Sequence, residues 1–215
     1  MPDLDLLDND ILFKVSCFDF SDGLAAYLNG SSSPSRLKVA EYVLSRKIAR
    51  SSGVRDKEGA AERLKSLLTR VVSLEPNDAE VSLASEIEAA AQEQNLSFDT
   101  GESQLLAVLI VRSARRLLTG DKRAIEGLLP LCECLGKQAE VSGKIVCFEQ
   151  LLLALLDLIG AEELVARVCS EPDVDKTASI SCGCATGGTG ADRISEGLNS
   201  YLRYLRERSG DILSA

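Results

Sequence analysis

The chain has 215 residues and a formal net charge of −9, with 45% hydrophobic and 27% charged residues. This composition predicts a folded globular protein, and the length suits one domain over 1–215. Because Trp is missing and aromatic residues are few, we expect an aliphatic core. The sequence contains no His, which excludes Ser-His and Cys-His catalysis and leaves carboxylates as the groups for acid–base or metal chemistry.

The segment 4–20 begins with a short apolar run, meets two acids and continues with helical spacing. This order predicts a strand, then Asp8 and Asp10 at its carboxyl end, then a helix. The acidic start is not typical of a signal peptide, and no apolar run is long enough to span a bilayer. We therefore expect a cytoplasmic protein without membrane segments, with its seven cysteines mostly reduced.

The segment 21–95 shows helical periodicity in three successive stretches, which predicts a helical insertion lobe. From Arg36 to Arg70 there are ten Lys or Arg against four Asp or Glu, so this part is basic within an acidic chain. Two interpretations stay open, a solvated helical face and a nucleic-acid contact surface.

After residue 98, strand-like and helix-like runs alternate. A helix is predicted after DTGE, a short strand at RRLL, a turn at Thr119-Gly120-Asp121 and a helix from Lys122. A second buried strand, KIVCF, precedes a helix that starts at Glu149. Alternating strands and helices predict a parallel sheet covered by helices on its two faces.

The segment 171–192 is rich in small residues and predicts a flexible loop. Its glycines lack the Gly-Lys-Ser/Thr ending of a phosphate-binding loop. Two cysteine pairs, Cys132/Cys134 and Cys182/Cys184, leave a four-cysteine zinc site as a minor alternative, although one intervening residue is fewer than such sites usually have.

Acidic residues recur where a predicted strand gives way to a helix or where a helix begins. They are Asp8 with Asp10, Glu102, Asp121 and Glu149. In an open parallel sheet, side chains at the carboxyl ends of neighbouring strands converge on one crevice. Clustered carboxylates repel one another, and Mg²⁺ or Mn²⁺ relieves that repulsion. Each of these acids alone also suits a helix cap, so a structural role stays open.

Three motifs in this order resemble those of PIN-domain nucleases: LLDND at 6–10, FDTGESQLLAVL at 98–109 and RRLLTGDKRAI at 115–125. The resemblance implies a three-layer α/β/α fold with a short central parallel sheet, to which this chain adds the extended helical insertion. It implies Asp8, Glu102 and Asp121 as catalytic residues and ligands of Mg²⁺ or Mn²⁺. Asp10 and Glu149 are the candidates to complete the metal shell.

The resemblance further implies an endoribonuclease, toxin-like or RNA-processing, that hydrolyses phosphodiester bonds. Lys122 and Arg123 are the expected contacts to the RNA backbone. Two other functions stay open: a catalytically inactive PIN-like module for protein association, and a phosphohydrolase built on the D-x-D pair Asp8 and Asp10. An antitoxin or other protein partner and a homodimer are open as well.

Overall fold

The computed structural model describes residues 4–28 and 33–215 and contains a five-stranded parallel sheet with the order β3-β2-β1-β4-β5. The strands are β1 Leu4–Leu7, β2 Ser33–Leu37, β3 Val72–Leu74, β4 Arg116–Thr119 and β5 Ile145–Cys147. In the described part of the chain, no helix is both long enough and apolar enough to cross a bilayer.

The described residues also form helices that cover the sheet. They are α1 Asn9–Cys17, α2 Ser21–Tyr27, α3 Ala40–Arg50, α4 Lys57–Arg70, α5 Asp78–Glu93, α6 Thr100–Val111, α7 Lys122–Leu135, α8 Gln138–Val141, α9 Phe148–Ile159, α10 Ala161–Ser170, α11 Lys176–Ser181 and α12 Ala191–Ser209. α1, α7 and α9 each begin within three residues of the end of the preceding strand. Their first turns therefore lie at the carboxyl edge of β1, β4 and β5.

Successive residues of the central strands point to opposite sides of the sheet, as the pleat requires. Leu6, Leu117 and Ile145 belong to one buried cluster, which α5, α6 and α7 cover. Their neighbours along the strands belong to a second cluster, which α1, α3, α4 and α9 cover; these neighbours are Leu7, Leu118 and Val146. Helices thus pack on both faces, which confirms the predicted three-layer α/β fold.

The segment 21–95 contributes more than helices. The predicted helices appear as α3, α4 and α5, but β2 and β3 lie in the same segment and pair with β1 and with each other. The interpretation of 21–95 as a helical insertion lobe is therefore wrong in this respect, because the segment supplies two of the five strands. The two strands are short, and the helical periodicity around them dominates the sequence pattern.

The segment 171–192, predicted as a flexible loop, contains α11, a 3₁₀ turn at Cys184–Thr186 and the start of α12. A disulfide joins Cys169 to Cys184, and Cys182 is buried in the core. The loop prediction is corrected because small residues here pack closely. The zinc alternative is also excluded, since one of its four sulfurs is in the disulfide and two others are buried.

Candidate acidic site at the carboxyl edge of the sheet

The pairing of β1 with β4 brings Asp8 beside Thr119. Leu7 and Leu118 are partners in the parallel ladder, and the Asp8 backbone N–H continues it to Leu118 O at 3.0 Å. The Thr119 hydroxyl donates to Asp8 Oδ2 at 3.0 Å, and the backbone N–H of Asn9 donates to Asp8 Oδ1 at 2.6 Å. Asp8 is the N-cap of α1, and its buried carboxylate is held from two sides.

Asp121 lies on the other side of the same threonine. Its backbone N–H donates to Thr119 Oγ1 at 3.3 Å. The Asp121 carboxylate caps α7 by accepting from the amides of Arg123 and Ala124 at 2.9 and 3.3 Å. One hydroxyl therefore connects the acids that begin α1 and α7.

Glu102 approaches the edge from the first turn of α6. It forms a capping box with Asp99: the Asp99 amide donates to Glu102 Oε2 at 2.8 Å, and the Glu102 amide donates to Asp99 Oδ1 at 2.8 Å. Glu102 also lines a small pocket together with Asp8 and Thr119. The remaining walls of this pocket are apolar, formed by Phe98, Leu105, Leu106, Leu117, Ala124 and Leu128.

The electrostatic environment of this group is acidic. Burial, followed by the charge of Asp10, raises the pKa of Asp8 to about 6. Burial, followed by the charges of Asp99, Asp121 and Asp8, raises the pKa of Glu102 to about 8, although the Asp99 amide acts in the opposite direction. The nearest strong charges on Glu102 are thus other carboxylates, and the group accumulates negative charge as it ionises.

Asp10, whose charge acts on Asp8, is itself paired with two lysines. Its carboxylate lies 2.5 Å from Lys14 Nζ and 3.2 Å from Lys47 Nζ. Burial alone would raise the pKa of Asp10, but the two lysine charges outweigh it and lower that pKa. Lys14 is buried and also contacts Asp175 Oδ2 at 2.8 Å and the Gly120 carbonyl at 3.3 Å.

Gly120 lies where this network meets the turn between β4 and α7. A Cβ at this position would lie 2.3 Å from Asp10 Oδ2 and 2.8 Å from Lys14 Nζ. The absent side chain therefore makes room for an ion pair, and the backbone φ of Gly120 is not in the left-handed region.

Glu149 is also neutralised. Its buried Oε1 forms an ion pair with Lys122 Nζ at 2.8 Å, without the alignment of a hydrogen bond. Lys122 also donates to Thr177 Oγ1 and lies over the ring of Tyr201. Arg123, by contrast, is exposed and contacts Asp121 at 3.3 Å.

Of the acids predicted from sequence, the structure brings Asp8, Glu102 and Asp121 together and gives Asp10 and Glu149 lysine partners. Within residues 4–28 and 33–215, no group of three or more Asp, Glu, Cys or His side chains has a ready-made arrangement for a metal ion. The donor chemistry nevertheless fits Mg²⁺ or Mn²⁺, since the ligands are carboxylate oxygens and Arg123, which contacts Asp121, balances only part of their charge.

Three participants were not identified as site residues from the sequence: Asp99, Lys14 and Asp175. Asp99 carries a usable signal, because an acid three residues before Glu102 is the pattern of a capping box. Lys14 is four residues after Asp10, which is the spacing of a helical ion pair. Asp175 gave no signal, since it lies in the segment predicted as a loop.

No protein family, curated protein or solved structure matches this chain. The fold and the site define a class: a parallel-sheet α/β protein with an acidic pocket at the carboxyl edge of its central strands. Within that class the PIN-like assignment rests on the three sequence motifs and stays a prediction.

Proposed function

We propose that this protein is a PIN-like, metal-dependent ribonuclease that hydrolyses RNA phosphodiester bonds at the acidic pocket. One observation carries the proposal: Asp8 and Asp121 are joined through Thr119, and Glu102 lines the same pocket as Asp8 and Thr119. Asp8 and Asp121 cap α1 and α7 at the carboxyl edge of the sheet, where open α/β proteins bind ligands, and Glu102 approaches that edge from α6.

Asp8, Glu102 and Asp121 would hold the Mg²⁺ or Mn²⁺ ion. When bound, such an ion polarises a phosphate oxygen and lowers the pKa of an attacking water. The raised pKa values of Asp8 and Glu102 support this assignment, because two carboxyl groups that ionise at an energetic cost gain from a nearby cation.

The chain's own groups have distinct tasks in this proposal. The Thr119 hydroxyl fixes the orientation of Asp8, and the Asp99 amide holds Glu102. Arg123 is exposed beside Asp121 and is placed to contact a phosphate of the substrate. Lys122 has a positioning task instead of the RNA contact expected from the sequence, since Glu149 and Thr177 engage its ammonium group.

Cleavage of a mixed RNA pool in Mn²⁺ tests the proposal. We expect cleavage by the wild type, its loss in EDTA, and a decrease of more than about 100-fold in Asp121→Asn, since even outer partners of metal ligands contribute about 10–100-fold. Asp56→Asn is the matched control, because Asp56 also caps a helix but is the N-cap of α4, whereas the Asp121 backbone contacts Thr119, which lines the acidic pocket. Equal cleavage by wild type and Asp121→Asn would exclude this site.

The second candidate is a non-catalytic association module with the same fold. It is favoured by the helix-capping roles of Asp8, Asp121 and Glu102, which explain these residues without chemistry. Absence of cleavage by both the wild type and Asp121→Asn, over a range of RNA and metal concentrations, would select it. The structure supports the D-x-D phosphohydrolase less well, because Lys14 and Lys47 are paired with Asp10 and occupy its carboxylate.

We also propose a cytoplasmic location for the ribonuclease.

A further inference from the structure

Helix α3 presents one continuous exposed face. Starting at Val39, whose backbone is already helical, residues at spacings of 3, 4, 7, 8 and 11 lie on the same side of the helix. We call this side the α3 face; its members are Val39, Tyr42, Val43, Arg46, Lys47 and Arg50. The opposite stripe, Ala40, Leu44 and Ile48, is buried in the core.

The composition of the α3 face is unusual for a solvated surface. Val39 is 57% exposed, Tyr42 67% and Val43 43%. Cations occupy the other three positions, and the face contains no acid although the chain as a whole has a net charge of −9. An exposed cluster of apolar and aromatic side chains among cations marks a binding surface for a polyanion with apolar parts.

Arg46 packs against the ring of Tyr42 and holds it in position. The Arg46 guanidinium lies 5.1 Å from the ring centroid, and Arg46 Nη1 donates to the Tyr42 hydroxyl at 2.6 Å. The arginine thus fixes the ring from one side and brings a positive charge beside it. An aromatic ring with an adjacent cation offers a nucleobase a stacking surface and its phosphate a counter-charge.

The α3 face adjoins the acidic site. α3 follows the carboxyl end of β2, the strand next to β1. Near its other end, Lys47 Nζ contacts Asp10 Oδ1 at 3.2 Å, two residues from Asp8. A strand bound along α3 therefore leads towards the edge of the sheet where the acids lie.

We propose that the α3 face binds single-stranded nucleic acid, with a base stacked on Tyr42 and phosphates near Arg46 and Arg50. This inference deepens the proposed function, on which it rests for the role of the bound strand as substrate. Single strands are favoured over duplex because only unpaired bases can stack on the exposed tyrosine. The cations, with charges opposite to those of the phosphates, favour nucleic acid over an apolar protein partner.

Fluorescence anisotropy with a labelled oligouridylate of about 12 nucleotides, within the usual length of single-strand sites, tests this surface. EDTA in the buffer prevents hydrolysis during the measurement. We expect Tyr42→Ala to weaken binding by at least about fivefold, the low end of the loss of one stacked base. Tyr204→Ala is the matched control, because Arg208 lies over Tyr204 at the same spacing on α12 and Tyr204 is also exposed.

The cations are tested by the salt dependence of the same binding. The double substitution Arg46→Gln/Arg50→Gln should lower the slope of log affinity against log salt by about 1.4, since each phosphate contact to a single strand contributes about 0.7. Arg203→Gln/Arg206→Gln removes the same charge from α12 and should leave the slope of the wild type. Circular dichroism spectra establish that each variant is folded.

Several outcomes would overturn the inference: no binding by wild type, equal affinity in Tyr42→Ala, or duplex bound as tightly as single strand. A change in oligomeric mass on Tyr42→Ala with unchanged RNA affinity would assign the face to self-association instead. The proposed function fails separately. Equal cleavage by wild type and Tyr42→Ala would exclude only the α3 face as the binding surface. Binding that depends on Tyr42, without metal-dependent cleavage, would exclude only the nuclease activity.

Discussion

Two neighbouring helices begin with the same capping box and place its glutamate in opposite electrostatic environments. In α5, Asn77 caps the helix and its backbone N–H donates to the Glu80 carboxylate at 2.8 Å. In α6, the backbone N–H of Asp99 donates to the Glu102 carboxylate at the same distance. Glu80 receives two further hydrogen bonds from Arg112, at 2.6 and 2.9 Å. Within the described residues, Glu102 forms no ion pair.

The consequence is a difference in ionisation. Hydrogen bonding from Arg112 lowers the pKa of Glu80, although the glutamate is fully buried. Burial raises the pKa of Glu102 to about 8, and nearby carboxylates add to the rise. Glu80 is fully paired, with the Asn77 backbone N–H and with Arg112, and so has a structural role. Glu102 keeps a strongly raised pKa and negatively charged neighbours, a combination that is typical of functional sites.

The largest expected effect comes from removing the cation that distinguishes the two boxes. Arg112→Met leaves the Glu80 carboxylate buried without its partner, so we expect the free energy of unfolding to fall by about 3 kcal/mol at neutral pH. Urea denaturation measures the change. Arg193→Met, an exposed arginine on α12, is the control and should stay within about 0.5 kcal/mol of the wild type. A similarly small change in Arg112→Met would mean that the ion pair does not distinguish the boxes.

An intermediate effect is expected from neutralising each glutamate. The folded-state pKa of Glu102, about 8, exceeds its ordinary value of 4.5, so the native state holds a proton that the unfolded state releases between these values. The free energy of unfolding therefore falls as the pH rises from 4.5 to 8. Glu102→Gln should remove this loss and stabilise the protein at pH 9 by about 2 kcal/mol, a value discounted for solvent screening.

Glu80→Gln provides the matched comparison, since glutamine also supports a capping box. The pKa of Glu80 is lowered, so its charged form stabilises the fold above the ordinary pKa and the substitution should destabilise the protein there. Thermal unfolding of both variants from pH 4 to 9 measures the two effects. Shifts of the same sign in the two variants would contradict the assigned difference.

The smallest expected effect concerns the capping residues themselves. Asp99→Asn converts the α6 box into the form of the α5 box and keeps a good cap. It removes one of the negative charges that raise the pKa of Glu102, so Glu102 should ionise at a lower pH than in the wild type. The loss of stability should still begin near pH 4.5 but end below the wild-type value of about 8, with a change in stability of less than about 0.5 kcal/mol.

The reciprocal substitution, Asn77→Asp, is the control for capping alone. It lies beside a glutamate already paired with Arg112, so we expect the pH profile of stability to keep the wild-type shape. Following the carboxyl carbon of Glu102 by NMR during a pH titration would give its pKa directly. An unchanged value in Asp99→Asn would remove Asp99 from the causes of the shift.

The sequence allowed the α/β class and the edge position of Asp8 and Asp121 to be predicted, because Asp8 directly follows one short apolar run and Asp121 follows another after the Thr119-Gly120 turn. It also contained the D-x-x-E pattern of the α6 box. It could not reveal that Arg112 pairs with Glu80 while Glu102 has no ion-pair partner among residues 4–28 and 33–215, since that choice depends on how α5 packs against α6. Strands β2 and β3 were missed because their short runs lie among strongly periodic helices.

Thr119 connects the end of β4 to the start of both α1 and α7. Its hydroxyl gives its single proton to Asp8 and accepts the Asp121 amide, so the same oxygen fixes the first turns of two helices that cover opposite faces of the sheet. A shift of β4 along β1 by one residue would break the bond from Thr119 to Asp8, whereas the bond between Thr119 and Asp121 lies within one turn and would move with β4. The orientation of the Asp8 carboxylate in the acidic pocket is therefore coupled to the register of β1 and β4.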